Sequence, residues 1–111
     1  AHVTSVNIPD NIKRIESNAF RQCSNLETIA IPNSVTNISA LAFSYCTSLT
    51  SVTIPDSVTY IGDWTFRDCT DLTSINYAGT KDQWSNIKLE SGWNRQSSIK
   101  TIHCSDGDIK L

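Results

Sequence analysis

At 111 residues the chain has the length of one domain, and its nine basic and eleven acidic residues leave a formal net charge of −2. The basic residues are scattered, so no stripe favours a nucleic acid and no run favours an anionic membrane surface. No apolar stretch is long enough to cross a bilayer as a helix. The sequence starts at Ala1 and contains no methionine, so a removed signal segment or further domains are expected upstream.

Taken from its start, the chain sets out Val3, Val6, Ile8, Pro9, Ile12, Ile15, Phe20 and Cys23, and then repeats that order. Leu26, Ile29, Ile31, Pro32, Val35, Ile38, Phe43 and Cys46 follow at the same spacing, and Leu49, Val52, Ile54, Pro55, Val58, Ile61, Phe66 and Cys69 after them. Prolines, phenylalanines and cysteines all recur every 23 residues. A tandem period in the twenties is the length of one solenoid coil. The coils run over 3–25, 26–48 and 49–71, and a partial fourth (72–77) opens with Leu72, Ile75 and Tyr77 before the pattern stops. Residues 1–77 are thus expected to be repeats.

Within a coil, Val52 and Ile54 alternate with Ser51 and Thr53, the period of a short strand. Proline ends the strand because it cannot donate to the ladder, and Pro-Asp-Asn, Pro-Asn-Ser and Pro-Asp-Ser are turn sequences. Val58 and Ile61 bring the chain back inward, and the step through Phe66 and Cys69 reads as a short helical or irregular bend. One coil buries too little to stand alone, which is why such units occur in stacked arrays.

The segment 78–111 reads as a closing cap. Thr80 to Gln83 matches a capping box, so a helix over Lys81–Leu89 is expected, with Trp84 and Ile87 on its inner side. Asn86–Gln96 is polar and expected to be loop. Ile99, Ile102 and Cys104 resume inward positions, and Asp106-Gly107 signals a hairpin between residues 101–105 and 108–111. Trp84, Trp93 and the hairpin are expected to cover the last layer and blunt its edge. No comparable lid precedes Val3, so the first coil is expected to expose an apolar layer, which fits a longer array or self-association of two chains through that coil.

Stacking places Cys23, Cys46 and Cys69 in one inward column at about the strand spacing of 4.8 Å. Parallel side chains in register do not converge as a disulfide requires. The column is therefore read as reduced, small buried hydrophobes, and Cys104 as buried in the cap.

The coil Leu-x-x-(Ile/Val)-x-Ile-Pro-x-Ser-Val-Thr-x-Ile-x-x-x-(Ala/Thr)-Phe-x-x-Cys-x-x-Leu closely resembles the BspA-like leucine-rich repeat family over about residues 3–77. Tyr77–Trp84 and Ile102–Gly107 are similar to the segment that often closes its arrays. Thr65 stands where the family usually has alanine, and Ser39 where it has the glycine kept at Gly62. The fold class expected is an α/β-solenoid: a right-handed leucine-rich-repeat β-solenoid of about 3.5 coils with an α+β cap at 78–111. The resemblance implies a secreted or cell-surface protein of host-associated bacteria or some protozoan parasites, and adhesion to host or microbial protein as its kind of work. It carries no catalytic motif.

Ser5, Asn7, Thr28, Ala30, Ser51, Thr53, Ser74 and Asn76 alternate with the buried strand residues and should line one outward sheet face. Neutral and rich in hydroxyls, it suits hydrogen bonding to a peptide or a glycan, and it also reads as a plain solvated face. Tyr60 and Trp64 are candidate aromatic contacts, or side chains folded over the neighbouring coil. His103, Cys104, Asp106 and Asp108 lie close in sequence but lack the paired spacing of a zinc site, and alternation puts His103 and Cys104 on opposite faces. No calcium loop, phosphate loop or nucleophile elbow is present. No metal, cofactor or catalysis is expected. The chain is read as a non-catalytic extracellular or cell-surface adhesion module, or alternatively as a spacer and cap for an array whose ligand site lies upstream.

Overall fold

The computed structural model describes residues 5–111; His2 and Val3 lie outside them. The chain winds as a β-solenoid of about four turns, each contributing one strand to each of two sheets. The first sheet holds β1 (Ser5–Val6), β3 (Thr28–Ala30), β5 (Ser51–Ile54), β7 (Ser74–Tyr77), β9 (Thr101–Cys104) and β10 (Gly107–Lys110), in that order. The second holds β2 (Arg14–Ile15), β4 (Asn37–Ile38), β6 (Tyr60–Ile61) and β8 (Lys88–Leu89). A five-residue helix, α1 (Lys81–Ser85), precedes β8.

Sequence periodicity becomes spatial register. Ile29 pairs with Val52, Ile15 with Ile38, and Ile38 with Ile61, all in parallel strands. After each proline a turn closes the same way, with the amides of Ile12, Val35 and Val58 donating to the carbonyls of Pro9, Pro32 and Pro55. The chain then crosses to the second sheet, where Thr36 and Thr59 donate amide and hydroxyl to the carbonyls of Lys13 and Thr36 in the preceding coil. The bend after β2, β4 and β6 is a run of turns without a helix. It needs left-handed backbone twice per coil: at Asn18, Leu41 and Trp64, and again at Gln22, Tyr45 and Asp68.

Between the sheets lies a core of columns. Phe20 stacks on Phe43 at 5.3 Å between centroids, and Phe43 on Phe66 at 5.5 Å, with interplanar angles of 3° and 4°. Cys46 and Cys69 are buried with free thiols. Each thiol donates to the phenylalanine carbonyl of the coil before, Cys46 to Phe20 at 3.0 Å and Cys69 to Phe43 at 3.1 Å. Burial pushes both thiols up to about 12, so they stay protonated donors at neutral pH. Cys23 is only half-buried, because it belongs to the outermost coil.

The segment 78–111 extends both sheets instead of resting on them. Strand β8 pairs in parallel with β6, and β9 with β7. The helix accordingly ends earlier than its apolar spacing suggested. Thr80 caps it, with both arms of the capping box formed. Beyond the C-cap Asn86 the chain turns to pair Lys88 with Tyr60 and Leu89 with Ile61. Local helix preference there is a few tenths of a kcal/mol per residue, and strand pairing over a buried Ile87 outweighs it. The expected loop Asn86–Gln96 therefore contains β8, followed by turns. Trp84 and Trp93 are buried and meet edge to face. Trp93 also ends the phenylalanine stack, crossing Phe66 at 82°. The hairpin forms as read, with β9 and β10 antiparallel around Asp106-Gly107. Cys104 is half-buried, not buried; beyond its strand the sheet continues, among the described residues, only with the edge strand β10.

Candidate functional site

Two surfaces have the chemistry of a contact site. The first is the outward face of the six-stranded sheet. Pairing sets Ser5 beside Thr28 and Thr28 beside Ser51, and farther along Ser74 beside Thr101 and Thr101 beside Lys110. A second row runs Ala30, Thr53, Asn76, His103 and Asp108. Asn7 lies one coil before Ala30, just past the end of β1, and is exposed. Thr28, Ala30, Thr53 and Asn76 are exposed, and Ser51 and Ser74 partly so.

Alternation explains this face. Ile29, Val52, Ile54, Ile75 and Ile102 are buried, which forces their neighbours outward. The rows are short polar side chains at about the 4.8 Å strand spacing. Charge enters only at the hairpin, where His103 Nδ1 and Asp108 Oδ1 are 2.8 Å apart and Lys110 lies 3.9 Å from the same carboxylate. That hydrogen bond from His103 holds the Asp108 carboxyl below its usual range. The close spacing of His103 and Cys104 in sequence brings no cluster, since His103 is outside and Cys104 faces in. Among the described residues no three His, Cys, Asp or Glu side chains gather as a metal site requires.

The second surface lies on the outer side of the second sheet and the turns after β2, β4 and β6. Tyr60 faces outward from the second sheet between Asn37 and Lys88 and is half-buried. Trp64 is also half-buried, and it does fold over the neighbouring coil, packing against Gly92: a Cβ there would come within 2.6 Å of the Trp64 ring. The guanidinium of Arg67 lies over the Trp64 ring at 4.3 Å and reaches Tyr45 at 5.6 Å, while that of Arg21 lies 5.8 Å from Tyr45. Sequence reading singled out Tyr60 and Trp64 but missed Arg21, Tyr45 and Arg67. The period aligns Arg21 with Arg67 through Ser44, but Tyr45 with Gln22 and Asp68, so the aromatic partner repeats in no column and only a search across adjacent columns finds the contacts.

Beside Trp64, Ala40, Leu41, Asp63 and Trp64 line a cleft of about 150 Å³, and Arg67 is not among its walls. Leu41 and Trp64 both sit in the left-handed region, at φ 65° and 59°. That conformation costs a residue with a side chain about 1–2 kcal/mol, least for the asparagine type found at the matching Asn18. Two bulky apolar residues thus occupy strained turn positions without being fully buried in return.

The family comparison agrees with this architecture. A model of the BspA type leucine rich repeat region matches residues 1–108 in six copies, so the match runs on through α1, β8 and β9. No curated protein matches the chain. Among solved structures it is similar to a leucine rich cell surface protein from Faecalibacterium prausnitzii A2-165, at 26% identity and a TM-score of 0.45. The likeness covers 81% of this chain and 36% of that one, so the chain spans about a third of its length.

Proposed function

The chain belongs to the BspA-type leucine-rich repeat family, and from that premise we propose that it is a non-catalytic interaction module. It works outside the cell or at its surface and holds a protein or glycan partner against the exposed face of the six-stranded sheet. The observation that carries this reading is that face itself. Six strands in one sheet present two rows of small polar side chains, with hydroxyls or amides at Ser5, Asn7, Thr28, Ser51, Thr53, Ser74 and Asn76. Such groups bond to amides and sugar hydroxyls alike and lose little side-chain entropy on being fixed. Adhesion is the use that fits best, because the rows are extended and shallow and enclose no small molecule.

The test is retention on immobilised matrix proteins and glycans. Ser51→Glu together with Thr53→Glu should abolish it, and Lys88→Glu, on the second sheet, should not. Equal loss from both changes, or no retention of the unaltered chain, would overturn the reading. A second reading, that these coils space and close a longer array with its ligand site upstream, draws support from the first coil. Val6, Ile8, Ile12 and Phe20 are only half-buried there and help line an apolar hollow of about 250 Å³. Retention by a longer chain alone would favour it.

A further inference from the structure

We propose that the cleft between Leu41 and Trp64 binds a primary ammonium group carried on an aliphatic stem, that is, a lysine side chain presented by a protein partner. The cleft lies on the turns that follow the second sheet, so it is separate from the strand face and does not depend on it.

Its walls divide by chemistry. Ala40 and Leu41 are apolar, Trp64 supplies an aromatic ring, and Asp63 supplies the only charge, a carboxylate. No basic side chain lines it: Arg67 lies against the Trp64 ring but does not border the cleft. The Asp63 side chain has no hydrogen-bond or ion-pair partner among the described residues. A ring face attracts a cation through its quadrupole, and a nearby carboxylate adds an opposite charge. Leu41 and Ala40 give a methylene stem a surface to lie along, as lysine stems do when the head stays polar. Size narrows the choice further. About 150 Å³ holds roughly five waters at about 30 Å³ each, enough for one side chain and too small for several sugar units.

Ring position is fixed before any ligand arrives. Arg67 lies against Trp64 at 4.3 Å. Gly92 leaves room beneath it, since any Cβ there would meet both the indole and the Asp63 carboxylate. Leu41, in the same column one coil earlier, takes the same left-handed backbone and lines the same cleft. The two bulky residues at strained turn positions are thereby explained as walls of one slot.

The indole N–H signals of the intact chain report this directly by two-dimensional NMR, because Trp84 and Trp93 are buried and Trp64 is not. Titration with Nα-acetyl-lysine amide should shift the Trp64 signal saturably, and Nα-acetyl-norleucine amide, which lacks the ammonium, should not. Asp63→Asn, which keeps the shape, should weaken the lysine response about three- to tenfold, and Trp64→Ala should remove it as read on neighbouring backbone amides. Equal shifts from the norleucine probe would mean a plain apolar notch and overturn the proposal. So would a response unchanged in Asp63→Asn, or none up to tens of millimolar probe, or a saturable shift with methyl glucoside in place of the lysine probe. Loss of strand-face retention with the Trp64 response intact would leave this site standing.

Discussion

The repeats up to Tyr77 and the segment after it are built by the same backbone rule with different side chains. In the repeats the Phe and Cys columns each keep one residue type, so Phe lies on Phe and Cys follows Cys. After Tyr77 the columns break, yet β8 and β9 still pair in register with β6 and β7. The inserted helix absorbs the extra residues on the way to β8, so Ile61 still finds Leu89. The difference teaches that strand pairing needs only an extended backbone and one inward apolar side chain, whereas a ladder of identical rings needs the repeated letter. The ladder ends where the letter ends: Trp93 is reached by the Phe66 amide, as Thr65 is by Phe43, but its ring crosses Phe66 instead of stacking on it.

The largest expected effect tests the ladder. Phe43→Ala removes a fully buried ring between two others and should cost about 3–5 kcal/mol in urea unfolding. Phe20→Ala, half-buried at the end of the stack, should cost about half as much. Equal costs would mean that the stack is not cooperative along its length.

Next come the glycines, one in each region. A Cβ on Gly62 would run into the backbone of Ser39 and Ala40, so Gly62→Ala has to push two coils apart. A Cβ on Gly92 meets only the side chains of Asp63 and Trp64, which can turn aside. Overpacking costs about 1–3 kcal/mol, and Gly62→Ala should fall at the upper end and Gly92→Ala at the lower. The reverse order would place the tighter coil contact in the closing segment.

The cysteines give a pH signature. Burial raises the Cys46 and Cys69 thiols from 9.0 to about 12. Between those values the unfolded chain loses the proton while the folded chain keeps it, so this contribution to stability is complete below about pH 9 and falls as pH rises toward 12. Cys46→Ala with Cys69→Ala should flatten that fall relative to the unaltered chain. Cys104, raised by a smaller burial, should be alkylated by iodoacetamide in the folded protein while Cys46 and Cys69 are spared.

The smallest effect is at the insertion. Thr80→Ala removes the hydroxyl that accepts from the Gln83 amide at 3.2 Å and should cost about 1 kcal/mol. Hydrogen exchange should quicken at the Trp84 and Asn86 amides and leave those of Lys88 and Glu90 protected, because the latter donate to Thr59 and Ile61 of the preceding coil. Faster exchange at both would show that α1 holds β8 in place.

A repeated letter at a fixed interval can become a stack only if coils pile in register, so the solenoid, its core columns and the polar face of the first sheet followed from the sequence alone, whereas the second sheet, where only an inward return of the chain was expected, did not. Pro9, Pro32 and Pro55 marked the turns, and Thr80 with Gln83 marked the helix start, because those signals act within a few residues. Where α1 stops and why Lys88–Leu89 become a strand depended on β6 offering an unpaired edge at that point. The contacts of Arg67 with Trp64 and Tyr45 were likewise settled in three dimensions, since they join residues from different columns; the period does set Leu41 beside Trp64 and Ala40 beside Asp63, but the cleft they line depends on how those side chains pack.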